Sequence, residues 1–137
     1  MANLTHFNPK AGSQAYKGLF SNCTIVPPNT SLAYISTQLV EGTAGDYGKQ
    51  SKVIWSNLVQ ILKELGAQMK DVVHTTASFS EFNDDIGKEV VEAWVSAMPD
   101  EWKEDMFKPS LTYNGVSHFH RPGIVYAVQV IVAVPSK

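Results

Sequence analysis

Apolar residues at Ile54, Leu58, Ile61, Leu62 and Leu65 recur with the spacing of one helical face. The pattern predicts an amphipathic helix over 49–65. Gly66 follows as a left-handed stop, a conformation glycine adopts without steric cost. The period then changes. Val72, Val73, Thr75, Thr76, Ser78 and Phe79 form a β-branched and aromatic run, so a strand is expected over 71–80. Ile86, Val90, Ala93, Trp94 and Ala97 return to helical spacing, with Asn83 or Asp84 available as the N-cap. The run IVYAVQVIVAV over 124–134 is almost continuously apolar and reads as a strand covered on both faces.

Weaker signals fill the rest. Segments 16–26 and 32–40 read as two antiparallel strands, joined by a turn at Pro27-Pro28-Asn29-Thr30 because proline cannot extend a ladder. Segment 110–116 reads as a fourth strand. Residues 1–15, broken by Pro9 and Gly12, read as an irregular arm, and 99–108 as an acidic, aromatic insert. The order is β-β-α-β-α-β-β in a single domain spanning 1–137. An α+β fold follows, with one mostly antiparallel sheet carrying both helices on one face. The opposite face then lacks cover. Gln129 is the one strongly polar residue in the last strand, so that face is too apolar to stay wet, and an oligomer is expected.

Composition narrows the function classes. At 44% hydrophobic and 18% charged residues the chain can bury a core. A formal charge of −2 with no basic stripe argues against a nucleic-acid partner. No apolar run is long enough to span a bilayer, and the first ten residues carry no secretory pattern, so no membrane partner is expected. A lone cysteine, Cys23, cannot form an internal disulfide and fits a reducing, cytoplasmic setting. No cofactor is called for.

Three stretches resemble the Rid/YjgF family of imine and enamine deaminases. Leu62–Ala67 followed by Asp71–Thr76 is similar to a helix ending L-x-x-x-G-A that meets a strand D-V-V-x-T-T. Phe20-Ser21-Asn22-Cys23 with Tyr34-Ile35-Ser36-Thr37-Gln38-Leu39 is similar to Y-S-Q-A and F-V-S-G-Q-I. Lys108-Pro109-Ser110-Leu111-Thr112, with the apolar final strand, is similar to P-A-R-S/T and E-I-E-A-I-A-V. The resemblance implies a chorismate-mutase-like fold and a homotrimer with clefts between subunits. The implied chemistry is hydrolysis of enamines and imines released by pyridoxal-phosphate enzymes. In that family a strand arginine grips the substrate carboxylate through its planar fork, and a glutamate on the last strand places or activates water.

The chain departs from the family at those positions. The arginine position reads Leu111 and the glutamate position Ala127, with Gln129 two residues on. The tyrosine reads Phe20, the glycine of S-G-Q reads Thr37, and the cysteine two places past the arginine reads Tyr113. Arg121 is the one arginine in the chain. Leucine cannot pair a carboxylate, so the family's mechanism does not carry over unchanged.

Other residues could supply chemistry. His118 and His120 in His118-Phe119-His120-Arg121-Pro122 could do acid/base work near neutral pH, with Arg121 as a relocated anion anchor. The competing reading is a solvated hairpin loop. Two histidines are half a metal site, so no metal is expected. Tyr113 and Asn114 could hydrogen-bond a neutral ligand or belong to the core; Gln129 could orient a ligand or water, or bridge subunits. Trp102, Met106 and Phe107 form either a lid or a self-packed loop, and Cys23 reads as a buried small hydrophobe.

The expected function is a divergent Rid-type small-molecule enzyme. Its substrate would be an imine, enamine or unsaturated carbonyl compound undergoing hydrolysis, tautomerisation, dehydration or cyclisation. Tyr113, Gln129, His118 and His120 are the catalytic candidates, and Phe20, Thr37, Leu111, Asn114 and Arg121 the binding candidates. The rival readings are a non-catalytic ligand-binding or regulatory trimer and an imine deaminase built on Arg121.

Overall fold

The computed structural model describes residues 3–11, 20–41, 43 and 45–135. Its elements run β1 (Thr5–Phe7), β2 (Cys23–Ile25), β3 (Ser31–Gln38), α1 (Tyr47–Glu64), β4 (Val72–Phe79), α2 (Asp84–Ala97), β5 (Ser110–Gly115) and β6 (Tyr126–Val134). The helices and the last three strands lie within a few residues of where the sequence puts them.

Local chemistry explains the helix ends. Asp46 caps α1 by accepting a hydrogen bond from the Lys49 amide at 3.0 Å. At the other end Gly66 takes φ 71°, the Gly66 amide donates to Lys63 O at 3.0 Å and the Ala67 amide to Leu62 O at 2.8 Å. Those two bonds satisfy carbonyls the last turn would otherwise leave unpaired. Asn83 caps α2 through the Ile86 amide at 2.8 Å, with Asp84 and Asp85 in the positive first turn.

Four strands form one sheet in the order β3-β6-β4-β5. β6 is antiparallel to both neighbours, and β4 pairs with β5 in parallel. The parallel pair needs a crossover, which α2 supplies. The expected hairpin between 16–26 and 32–40 does not form. β2 pairs with β1, and β3 pairs with β6. Pro27 and Pro28 lack the amide hydrogens a hairpin ladder needs, and Asn29 at φ 60° redirects the chain. The lead-in expected to be irregular contributes β1, which makes a separate two-stranded ribbon with β2. Residues 16–19 of the expected first strand, and 12–15 of the arm, lie outside the described residues.

The core lies between the sheet and the two helices. Trp55 of α1 and Trp94 of α2 stack at 4.1 Å with planes 6° apart. Trp55 Nε1 donates to the Tyr126 hydroxyl at 3.1 Å, and full burial pushes the Tyr126 pKa up. Tyr126, Val128, Val130 and Val132 face this core, as strand alternation requires. On the other face Ala127 and Ala133 are buried, Ile131 is half-buried and Gln129 is exposed. β6 is therefore not wholly covered on both faces. Tyr34, 70% exposed, and Leu32, 40% exposed, extend the apolar part of this open face.

The insert at 99–108 is no free lid. Trp102 and Met106 are buried in the main core, and Phe107 packs against it. Cys23 is half-buried. No helix among the described residues is long and apolar enough to cross a membrane.

Candidate functional site

The parallel strands β4 and β5 end side by side, with Phe79 opposite Gly115. The chain leaving β4 turns through Ser80, Glu81 and Phe82 into α2. This turn is braced from α1. The buried Tyr47 hydroxyl lies 2.9 Å from Glu81 O, to which it donates, and 2.9 Å from the Glu81 amide, from which it accepts. It also lies 3.0 Å from the Ser80 hydroxyl, and the Ser80 amide donates to Val125 O at 3.0 Å. A turn held by this many bonds positions Phe82 at the mouth of the sheet.

Two cavities open there. One, of about 270 Å³, is lined by Phe20, Phe82, Asp84, Gly87, Lys88, Val91, Phe107 and Tyr113. The other, of about 370 Å³, is lined by Phe79, Ser80, Glu81, Phe82, Tyr113, Asn114 and Gly115. Phe82 and Tyr113 belong to both. Their rings lie 5.8 Å apart and contribute to the walls of both spaces. Tyr113 also meets Phe79 at 5.2 Å and Phe20 at 6.3 Å, and Phe20 meets Phe107 edge-on at 5.6 Å. Aromatic walls with a few polar groups are the usual make-up of a small-molecule site. Gly87 lets Phe82 sit directly on α2: a Cβ at this position would lie 2.9 Å from the Phe82 ring.

No protein-family model matches the chain, and no curated protein matches it. Solved structures do. A Rid-family protein of unknown function from Yersinia pestis superposes with a TM-score of 0.75 at 15% identity, over 96% of this chain and 98% of its own. A YjgF-family protein from Neisseria meningitidis gives 0.62 at 13% identity, over 98% and 97%. A candidate L-PSP endoribonuclease from Entamoeba histolytica gives 0.59 at 21% identity, over 95% and 98%. The chain has the Rid/YjgF fold.

Within this Rid/YjgF fold the structure brings together only some of the residues singled out by sequence. Phe20, Tyr113 and Asn114 line the cavities. Leu111 lies half-buried beside Thr75, outside both linings. Thr37 is exposed at the irregularity in the β3–β6 pairing between Ile35 and Gln38. Gln129 is exposed on the open sheet face, opposite Thr76. His118 and His120 are exposed in the β5–β6 loop, where His118 Nδ1 lies 3.2 Å from the Ser117 hydroxyl. Arg121 is exposed and its Nε pairs with Glu41 Oε1 at 2.9 Å.

Several residues at the cavities escaped the sequence reading. Glu81, Gly87 and Lys88 carried no motif, and Asp84 stood out only as a possible N-cap; the meeting of α2 with the strand ends reveals them. Glu89, in contrast, reaches back to accept the Gly48 amide at 3.1 Å and serves the α1 terminus; Glu92 is exposed.

A second polar cluster lies on the open sheet face. His74 Nδ1 is 2.7 Å from Ser110 Oγ, and its Nε2 is 2.9 Å from Thr112 Oγ1. Ser110 Oγ donates to Val73 O at 3.1 Å, which leaves Nδ1 as the donor to Ser110. Partial burial lowers the His74 pKa. His6 Nδ1 lies 3.2 Å from Thr24 Oγ1; burial, then Lys108, lowers its pKa, partly opposed by Asp105. Thr24 Oγ1 also accepts from the Ser110 amide at 3.3 Å. Among the described residues, no group of three or more His, Cys, Asp or Glu side chains is placed to hold a metal ion.

Proposed function

We propose that this protein is a divergent Rid-type enzyme whose substrate occupies the paired cavities at the ends of β4 and β5. The substrate class is an imine, enamine or unsaturated carbonyl compound. The reaction is hydrolysis, tautomerisation, dehydration or cyclisation. Tyr113 is the acid or base, because it lines both cavities and its ring meets those of Phe20, Phe79 and Phe82. That placement is the observation on which the reading chiefly rests. Asn114, in the second cavity, is the neutral hydrogen-bonding partner. The chain works as a homotrimer, with the apolar part of the open sheet face covered by neighbouring copies and the cavities completed at the interfaces.

Leu111 in place of the family's arginine supports a substrate held by aromatic contacts rather than by a carboxylate clamp. Gln129, His118 and His120 stand outside the two cavity linings. They enter this reading only as groups that a neighbouring subunit would bring to its partner's cleft. The exposure of these three residues favours the second reading, a ligand-binding or regulatory trimer without catalysis.

The test is Tyr113→Phe, which removes one hydroxyl and little volume. If Tyr113 is the acid or base, turnover of an enamine or imine substrate falls about 100-fold while the melting temperature stays nearly unchanged. A variant that retains full turnover removes Tyr113 from the chemistry. A loss of stability without a specific loss of turnover makes the tyrosine structural.

A further inference from the structure

The two cavities differ in charge as well as in shape. Phe79, Phe82 and Tyr113 form a corner with ring centroids 5.0, 5.2 and 5.8 Å apart and planes crossing at 81°, 75° and 46°. Glu81 completes the lining of that corner, and among the described residues it is the one charged residue there. The neighbouring cavity has aromatic and aliphatic walls, with Asp84 and Lys88 at its rim. These two stand one helical turn apart on α2, so their charges offset one another. Among the described lining residues of the pair, Glu81 is the charge left without an opposite.

Aromatic rings beside an acidic residue attract an organic cation. The ring quadrupoles present negative faces, and the carboxylate adds a full charge. An anion has less to hold it there. From these facts we infer that the corner takes a substituted ammonium or protonated imine, carried on an aryl or branched alkyl body that lies in the neighbouring cavity. This rests on reading the two cavities as one ligand site, and it adds the charge state of the ligand to that reading. Phe82 and Tyr113, common to both spaces, mark where the cationic head joins the apolar body. Because the Tyr47 hydroxyl bonds both backbone groups of Glu81, the turn is set before a ligand arrives.

Three probes of matched shape separate the alternatives: 2-phenylethylammonium, 2-phenylethanol and 3-phenylpropanoate, titrated into the intact protein by calorimetry and by chemical-shift mapping. The ammonium is expected to bind about 10-fold more tightly than the alcohol, with the carboxylate weakest. Glu81→Gln lowers ammonium affinity about 5-fold and leaves the alcohol unchanged; Glu101→Gln, on an exposed residue away from the cavities, changes neither. A carboxylate that binds as well as the ammonium, or an ammonium affinity indifferent to Glu81→Gln, overturns the cation assignment and leaves the ligand site standing. Absence of binding by all three probes, or shifts remote from Phe82 and Tyr113, overturns both.

Discussion

The Phe82 ring lies where a side chain on residue 87 would begin: a Cβ built at Gly87 meets its tip at 2.9 Å. Phe82 is 48% exposed and can swing, whereas the helix backbone cannot. Gly87→Ala therefore has two effects of opposite sign. Alanine in a helix gains about 1 kcal/mol over glycine, so the melting temperature is expected to hold or rise. The displaced ring redraws a wall of both cavities, so ligand affinity falls. Calorimetry and ligand titration on one variant check both. A variant with unchanged affinity removes Phe82 from the site.

Acid should loosen the fold through its histidines. Burial lowers the pKa values of His74 and His6, so the unfolded chain binds more protons between those values and the ordinary one near about 6.5. Stability rises with pH where the unfolded state holds more protons. The melting temperature is therefore expected to fall as pH drops below about 6.5. Asp71 acts in the opposite sense: burial raises its pKa, so its contribution is lost as pH rises. The clean readout is the difference between wild type and His74→Gln, which should show a shallower acid slope. Equal slopes remove His74 as a source of the sensitivity.

Turnover of 2-iminopropionate should be weak or absent. Leu111 occupies the position that the resemblance matches to arginine, and Arg121 is held by Glu41 in an exposed loop. Arg121→Ala is expected to leave what activity exists unchanged. Efficient hydrolysis abolished by that substitution would promote the deaminase reading built on Arg121.

Assembly has its own test. Tyr34, Leu32 and Ile131 share the sheet face opposite the helices, and apolar area of this kind favours burial against another copy. Sedimentation equilibrium should return a trimer. A 15.1 kDa species at micromolar concentration removes the trimer.

Apolar spacing carried the two helices, and β-branched or continuous apolar runs carried β4 and β6; β5 rested on a weaker signal. Gly66 and Asn83 then set the ends through local bonds. Pairing was harder to read. β2 next to Pro27 and Pro28 looked like half of a hairpin, and nothing local says that Cys23–Ile25 instead meets Thr5–Phe7. The site was least legible. Tyr113 and Phe20 emerged from a family resemblance, but Glu81 and Lys88 matter only because the parallel crossover returns α2 across the strand ends. His74 and Ser110 are 36 positions apart, and their contact depends on the parallel register of β4 and β5. A list of residues carries no register.

Gln50 has a consequence for how the molecule could be altered. It is fully buried, its Nε2 donates to Gly123 O at 2.7 Å, and its Oε1 accepts from the Val125 amide at 3.0 Å. These two bonds moor the entrance of β6 to α1, independently of what precedes it. The tip from Ser117 to His120, exposed except for the half-buried Phe119, is thereby released from any duty to hold register. Surface tips of this kind are where foreign peptide is best accepted. The protein thus carries a natural grafting point at one end of its sheet, one amide side chain away from the strand that pairs with both β3 and β4.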